Sequence, residues 1–236
     1  MRIVSLLPSA TEIVANLGLL DSLVGRSHEC QWPAEVGVVP VVSASRIDSA
    51  ALDGRQIDEA VRDAVAKGEA LYAVDGGLLA SLRPDVIITQ DLCRVCAVAS
   101  EDVVDVGARV ISLGPRTLAE VAESVRYLGR ELGVADRGEE LAGEMVRNIE
   151  RVRHAVNGRK RLRVFVAEWI DPPFACGHWI PEMVEAAGGE EVLGRAGQRS
   201  VRTTWEEVRG ARPELVVAAP CGFDEERAAR EAESID

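Results

Sequence analysis

The sequence predicts an α/β protein of two lobes with mainly parallel sheets, joined by a long helix. Three observations lead there. Short runs rich in Val, Ile and Leu alternate with helical patterns along the 236 residues. The middle of the chain is helical with no strand candidate, and a short strand-entry pattern occurs on both sides of it. Strands that are continuously apolar and separated by helices read as parallel sheets covered on both faces.

The first strand candidate is Ile3–Leu7, which breaks at Pro8. Ser9-Ala10-Thr11-Glu12 has capping-box spacing, Ile13, Val14 and Leu17 supply an apolar stripe, and Gly18 ends the helix. Further strand candidates are Leu23–Val24, Val38–Val42, Val86–Thr89, Val110–Leu113, Leu162–Ala167 and Leu215–Ala218. In the middle, Thr117 and Glu120 cap a helix that stops near Gly133, and Asp136 with Glu139 caps a longer one. Along the longer helix Ala142, Met145, Val146, Ile149, Val152 and Val156 recur at three- and four-residue steps, giving one apolar face before Asn157-Gly158. The expected division is an N-terminal lobe over 1–116, connecting helices over 117–158 and a C-terminal lobe over 159–236. The strand-entry pattern is Arg83-Pro84-Asp85 before one strand and Arg212-Pro213-Glu214 before another. In each, proline stops a helix and the strand follows directly.

Composition narrows the function. The formal net charge is −12, from 27 Lys+Arg against 39 Asp+Glu. That balance opposes nucleic-acid or anionic-membrane binding through charge. No apolar run approaches the ~20 residues of a membrane helix, so no membrane insertion is expected. Ile3–Leu7 is shorter than the ~7–15-residue core of a secretory signal. The expectation is a cytoplasmic protein with reduced cysteines. The five cysteines are an odd number, which also disfavours a disulfide framework.

The scarce reactive side chains follow the strand candidates. His28, Glu29 and Cys30 come after Leu23–Val24, and Asp91, Cys93 and Cys96 after Val86–Thr89. Glu168 and Trp169 follow Leu162–Ala167, His178 and Trp179 come soon after, and Cys221 follows Leu215–Ala218. Ligands of open parallel sheets bind beyond the carboxyl ends of the strands. These residues are therefore expected to meet in a cleft between the lobes. Cys93-Arg94-Val95-Cys96 has a spacing that serves metal ligation or thiol redox chemistry, and equally two half-buried thiols. His28, Cys93, Cys96 and His178 form a soft-metal ligand set suited to a bound transition metal. Indoles beside such groups wall a flat conjugated ligand or seal loops, and the sequence leaves both readings open. There is no Gly-x-Ser-x-Gly elbow and no phosphate loop in a strand-to-helix setting.

The opening Arg2-Ile3-Val4-Ser5-Leu6-Leu7-Pro8-Ser9-Ala10-Thr11-Glu12 resembles the start of the cobalamin and iron-siderophore substrate-binding proteins of ABC importers. Leu82–Thr89 resembles their recurring helix, Leu-x-Pro-Asp, strand element. A soluble cobalamin-binding branch is similar at Arg26–Cys30, Thr89–Cys96, Glu168–Pro173, Gly177–Trp179 and Pro220–Asp224. The resemblance implies two lobes on a backbone helix, a small-molecule metal chelate such as cobalamin as ligand, and an ABC transporter permease as partner. Exported members carry a leader, and none is expected here from the short Ile3–Leu7 run. Members also continue past the acidic helical run ending at Asp236, which implies an incomplete second lobe.

The leading expectation is thus a non-enzymatic protein that binds a corrinoid, another metal chelate or a metal ion. Ser9 and neighbouring amides at a helix start receive an anionic group. His28, Glu29, Asp91, Glu168, Trp169, His178, Trp179 and Cys221 contact the ligand. The alternative is a cytoplasmic enzyme using a Cys/His/Glu metal or thiol site in the same place.

Overall fold

The computed structural model describes residues 1–93, 95 and 97–235. In chain order its elements are β1 (Ile3–Ser5), α1 (Pro8–Asn16), β2 (Leu23–Arg26), β3 (Ser43–Ser45), α2 (Gly54–Ala66), β4 (Tyr72–Val74), α3 (Gly76–Leu82), β5 (Val86–Gln90), β6 (Arg109–Leu113), α4 (Leu118–Glu131) and α5 (Ala135–Val156). Then come β7 (Leu162–Ile170), β8 (Pro173–Ala175), α6 (Ile180–Ala186), β9 (Gly189–Glu191), β10 (Val201–Arg202), α7 (Trp205–Ala211), β11 (Leu215–Ala218) and α8 (Glu225–Ala232). The class is α/β with parallel cores, as the alternation of runs predicts. The chain forms two compact units. The first is Met1–Ala51, Glu59–Gly114 and Ser124–Leu141; the second is Leu52–Asp58, Pro115–Glu123 and Ala142–Asp236.

The first unit is built on a four-stranded, fully parallel sheet ordered β2-β1-β5-β6. Successive residues feed opposite faces. Ile3, Val86 and Ile88 join Val14, Leu17 and Leu128 in one core, while Val4, Ile87 and Leu79 join Val42 and Val98 in the other. A small antiparallel pair, β3 with β4, stands apart from this sheet. In the second unit β7 is central. It pairs parallel with β11 and β9 and antiparallel with β8, which in turn pairs with β10. Phe165, Ala167, Ala175 and Val208 fill one core there, and Val164, Val166 and Cys176 another.

Three expectations change. Val38–Val42 is not a strand: Ala34–Val38 is a 3₁₀ turn, Val38 is 92% exposed, and the strand begins at Ser43. Pro40 lies inside that run and has no N–H for a ladder. The Ser9 capping box does not form either. Leu7 is the N-cap and Pro8 takes the first helical turn, so Ser9 already lies inside α1. Likewise α5 starts at Ala135, leaving Asp136 within its first turn. Its apolar stripe is only partly covered, since Ala142 is buried while Val146 and Val152 are 41% and 46% exposed. Leu215, Val216 and Val217 of β11 are also open to solvent.

The repeated strand-entry pattern has a shared geometry. Arg83 and Arg212 both adopt the left-handed conformation (φ 45° and 49°) at the ends of α3 and α7. The acid after each proline staples the neighbouring strand. Asp85 Oδ2 accepts the Arg2 backbone N–H at 2.7 Å beside β1, and Glu214 Oε2 accepts that of Arg163 at 3.1 Å in β7. The stapled arginine returns the contact through its side chain. Arg2 donates to the Leu82 carbonyl at 2.7 Å, and Arg163 to the Ala211 carbonyl at 2.7 Å. These carbonyls are the unpaired acceptors of a helix C-terminus.

In the first unit Gly129 of α4 and Gly138 of α5 meet closely. A Cβ on Gly129 would lie 2.7 Å from the Gly138 Cα. Gly138→Ala is therefore expected to destabilise by about 1–3 kcal/mol through overpacking. Gly143→Ala in the same helix would meet only the end of the Arg147 side chain. That variant is expected to be neutral or stabilising by up to ~1 kcal/mol. Thermal denaturation of both variants checks the contrast.

Candidate functional site

The first unit gathers polar groups beyond β2. The His28 Nδ1 lies 3.0 Å from Ser43 Oγ, which donates to Ser27 Oγ at 3.1 Å. On its other side His28 Nε2 is 3.2 Å from Glu29 Oε1, without hydrogen-bond alignment. The His28 ring holds the Glu29 carboxyl below the usual carboxylate range, against burial, which pushes it up. The Tyr72 ring sits 5.7 Å from the imidazole, and its hydroxyl donates to the Val95 carbonyl at 2.6 Å. Cys30 is buried beside Thr11, whose hydroxyl lies 3.0 Å from the sulfur, and burial pushes the thiol up.

The loop after β5 is tied back to its strand. Gln90 donates to the Cys93 and Ala97 carbonyls and accepts the Cys93 N–H at 2.7 Å. The Asp91 carboxylate accepts the Ser100 N–H at 3.0 Å and hydroxyl at 2.7 Å, and the Ser112 hydroxyl at 2.5 Å. Asp91 thus lies at the strand end as expected, with its carboxylate engaged in shaping the loop. Cys93 is half-buried, and Cys96 lies outside the described residues. Ser9 is exposed on α1. Among the described residues, no three His, Cys, Asp or Glu side chains are grouped to hold a metal ion.

In the second unit Glu168, Cys221 and His178 come together around the end of β7. The Cys221 N–H donates to the Glu168 carbonyl at 3.1 Å. The Glu168 carboxylate accepts the Gly177 N–H at 3.1 Å and the Ser200 hydroxyl. A Cβ on Gly177 would lie 2.4 Å from the Ser200 nitrogen, so only glycine fits there. His178, next in the chain, is held in the left-handed region at φ 51°. That conformation costs ~1–2 kcal/mol, offset by its N–H to the Gln198 carbonyl at 2.6 Å and its carbonyl from the Gly197 N–H at 2.8 Å. The His178 and Trp179 rings are 6.0 Å apart, and His178 Nε2 is shut off from solvent without a partner. Burial holds this imidazole below the ordinary histidine value; Glu168 opposes that, and the Arg116 and Arg199 guanidinium groups add to it.

Trp169 has a different neighbourhood. Its indole N–H is shared between the Gly54 carbonyl at 3.1 Å and the Asp171 carbonyl at 3.2 Å. Its ring lies 4.9 Å from that of Phe223, over which the Arg227 guanidinium stacks at 3.8 Å. Arg227 also donates to the Leu52 carbonyl, and Arg55 pairs with Asp171 at 3.1 Å. Segment Leu52–Asp58 is therefore strapped between the end of β7 and α8 of its own unit. Cys176 is buried, and burial, reinforced by Glu191, pushes its thiol far up. The sequence reading missed Ser43, Tyr72, Gln90, Arg116, Arg199 and Ser200. Gln90 lies within the Thr89–Cys96 segment and meets Cys93 three residues on; the others belong to no motif and come close through tertiary packing.

Two outcomes test this description. Gly177→Ala is expected to displace the 198–200 backbone and lower the melting temperature, whereas Gly210→Ala, with open space at its Cβ, leaves it within a degree or so. The second concerns pH. The unfolded chain protonates a histidine near pH 6.5, while folded His178 stays neutral to lower pH. Its contribution to stability is thus present above pH ~6.5 and lost as pH falls below it. Glu29, with its folded value depressed, adds its loss only at still lower pH. His178→Gln should flatten the fall in melting temperature between pH 7 and 5.5; an unchanged slope contradicts the assignment.

Comparison with known proteins places this geometry. No curated protein is significantly similar in sequence. Among solved structures, a periplasmic vitamin B12-binding protein of Vibrio cholerae aligns at 20% identity and TM-score 0.65, over 91% of this chain and 74% of that one. A periplasmic heme-binding protein of Pseudomonas aeruginosa aligns at 19% identity and TM-score 0.69, over 99% and 77%. An apo periplasmic heme-binding protein of Roseiflexus sp. RS-1 aligns at 23% identity and TM-score 0.65, over 91% and 74%. At these identities the likeness is one of fold. The expectation of a cytoplasmic protein is overturned here, because the matching family profile and these structures are all of periplasmic proteins. The profile, described as periplasmic binding protein, matches residues 3–235, and the chain belongs to that family.

Proposed function

We propose that this chain is a substrate-binding protein for a metal chelate, of corrinoid, heme or siderophore type, that it delivers to an ABC importer permease. Its family consists of binding proteins rather than enzymes. The carrying observation is that each unit sets a histidine against an aromatic ring: His28 with Tyr72, and His178 with Trp179. A flat conjugated ligand is met by such aromatic walls and oriented by a few polar groups. In this reading His28, Glu29 and Asp91 on the first unit, and Glu168, Trp169, His178, Trp179 and Cys221 on the second, face the ligand. Ser9 meets an anionic group of it. His28, His178, Cys93 and Cys96 are the soft donors available to the chelated metal, which is cargo.

Two of the five cysteines are poorly placed for thiol chemistry. Cys30 and Cys176 are buried with raised thiol values, so neither supplies a thiolate.

The test is an absorption spectrum and elemental analysis of protein purified without added cofactor, followed by melting curves with cyanocobalamin or hemin. A hundredfold excess over Kd should stabilise by about 2.7 kcal/mol, several degrees in Tm. A blank elemental analysis with unmoved melting curves for both ligands ends the proposal.

A further inference from the structure

Three strand ends of the first unit deliver the groups that hold the His28 ring. Ser27 follows β2, Ser43 opens β3 and Tyr72 opens β4. His28 Nδ1 lies 3.0 Å from Ser43 Oγ, and the Ser43 hydroxyl donates to Ser27 Oγ at 3.1 Å. Ser27 Oγ also accepts the Glu29 N–H at 3.3 Å, and Ser43 Oγ meets the His28 N–H at 3.4 Å. Ser27 Oγ itself stands 3.5 Å from Nδ1, beyond the range of a good hydrogen bond. Both serines are buried. The Tyr72 ring packs against the imidazole, with centroids 5.7 Å apart and a tilt of 46°.

This chain of contacts fixes which ring nitrogen carries a proton. A serine hydroxyl has one proton to give. The Ser43 proton goes to Ser27, so towards Nδ1 the Ser43 oxygen acts as acceptor and the ring nitrogen donates. A neutral imidazole with its proton on Nδ1 keeps a lone pair on Nε2. Among the described residues Nε2 has no hydrogen-bond partner, and it is closed to solvent. Glu29 Oε1, 3.2 Å away, is a second electron-rich atom beside it. Two such atoms facing each other out of water are a costly arrangement. A positive centre at the nitrogen relieves it.

We propose that Ser43, backed by Ser27, is a positioning residue that fixes the His28 proton on Nδ1 and so presents the Nε2 lone pair to the metal of the bound chelate. This rests on the metal-chelate reading above and deepens it, by assigning the coordinating nitrogen and the two hydroxyls that select it. Glu29 stands beside Nε2 with a half-buried side chain, and rotation of that side chain uncovers the nitrogen.

The experiment reads the ring first and the ligand second. Long-range proton–nitrogen NMR spectra at about pH 8, above the ordinary histidine value, report which ring nitrogen is protonated. The His28 signals are assigned by their loss in His28→Ala. Wild-type protein is expected to show a protonated Nδ1. In Ser43→Ala the acceptor is gone, and the proton moves to Nε2, facing Glu29. In Ser27→Ala the Ser43 hydroxyl loses its own acceptor and turns its proton on Nδ1. The same ring state then arises with Ser43 still in place, which loss of packing alone does not produce. A bare Nδ1 in the wild type, or a ring unchanged in both variants, overturns the proposal. Hemin titrations follow, read by absorption and by the electron paramagnetic resonance signature of histidine-bound iron. Both variants should bind hemin about 10–100-fold more weakly, the usual effect of losing the partner behind a histidine ligand, and lose that signature. Melting curves verify that they fold. Wild-type affinity and signature in both variants overturn the role towards the metal. Failure of hemin to bind wild-type protein counts against the chelate reading, whereas the ring state, read without ligand, still supports or overturns the assignment of Ser43.

Discussion

The position of every candidate group depends on a clasp that fixes where the central strands begin. In both units a helix ends on an arginine in the left-handed conformation, proline blocks continuation, and the following acid takes the N–H of the neighbouring strand. That strand's arginine then caps the carbonyls the helix left open. The register Ile3 with Val86 in one sheet, and Val164 with Leu215 in the other, follows from it. A one-residue slip in a strand exchanges its faces, so the clasp also decides which residues emerge at the carboxyl ends. Asp91 follows β5 and Glu168 lies near the end of β7 because of where those strands were started.

Much of this fold was legible because its strands read as unbroken apolar runs, whether fully buried like β5 or open to solvent like β11. Leu215–Ala218 has the bounds expected, and Val86–Gln90 and Arg109–Leu113 differ by one residue. The short antiparallel strands β8 and β10 were not legible. Pro173-Phe174-Ala175 and Val201-Arg202 carry no run, and their pairing with β7 is imposed by tertiary context. Val38–Val42 misled for the opposite reason: its side chains are right for a strand, but Ala34–Val38 coils into a 3₁₀ turn and only an isolated bridge of Val41 to Arg26 remains. At α1 the clash was between two helix-start signals, and Pro8 at the first turn prevailed over Ser9 as cap.

The site residues separate by what the sequence can encode locally. Their location after strands was visible, because strand ends are visible. Their employment was not. Asp91, expected at a ligand, has its oxygens taken by Ser100 and Ser112, the latter twenty-one residues away. Trp169 turned its N–H to Gly54, which is more than a hundred residues earlier in the chain. Gln90 carries no chemistry of its own, yet it shapes the cysteine loop through three hydrogen bonds. Such partners are set by packing, and no spacing announces them.

A common logic connects these employments. The chain is rich in carboxylates, and it uses them to hold loops by backbone N–H groups. Glu191 takes three such donors from Val166, Leu193 and Gly194, Glu182 takes Leu118, and Glu168 takes Gly177. Each such bond to a charged acceptor contributes about 1.5–3 kcal/mol and commits the acid to structure. A carboxylate spent this way exposes less negative potential at the strand ends than the net charge suggests, since the donors that surround it are themselves dipoles aimed at it. An acidic chain thereby uses part of its negative charge to hold its own loops in place.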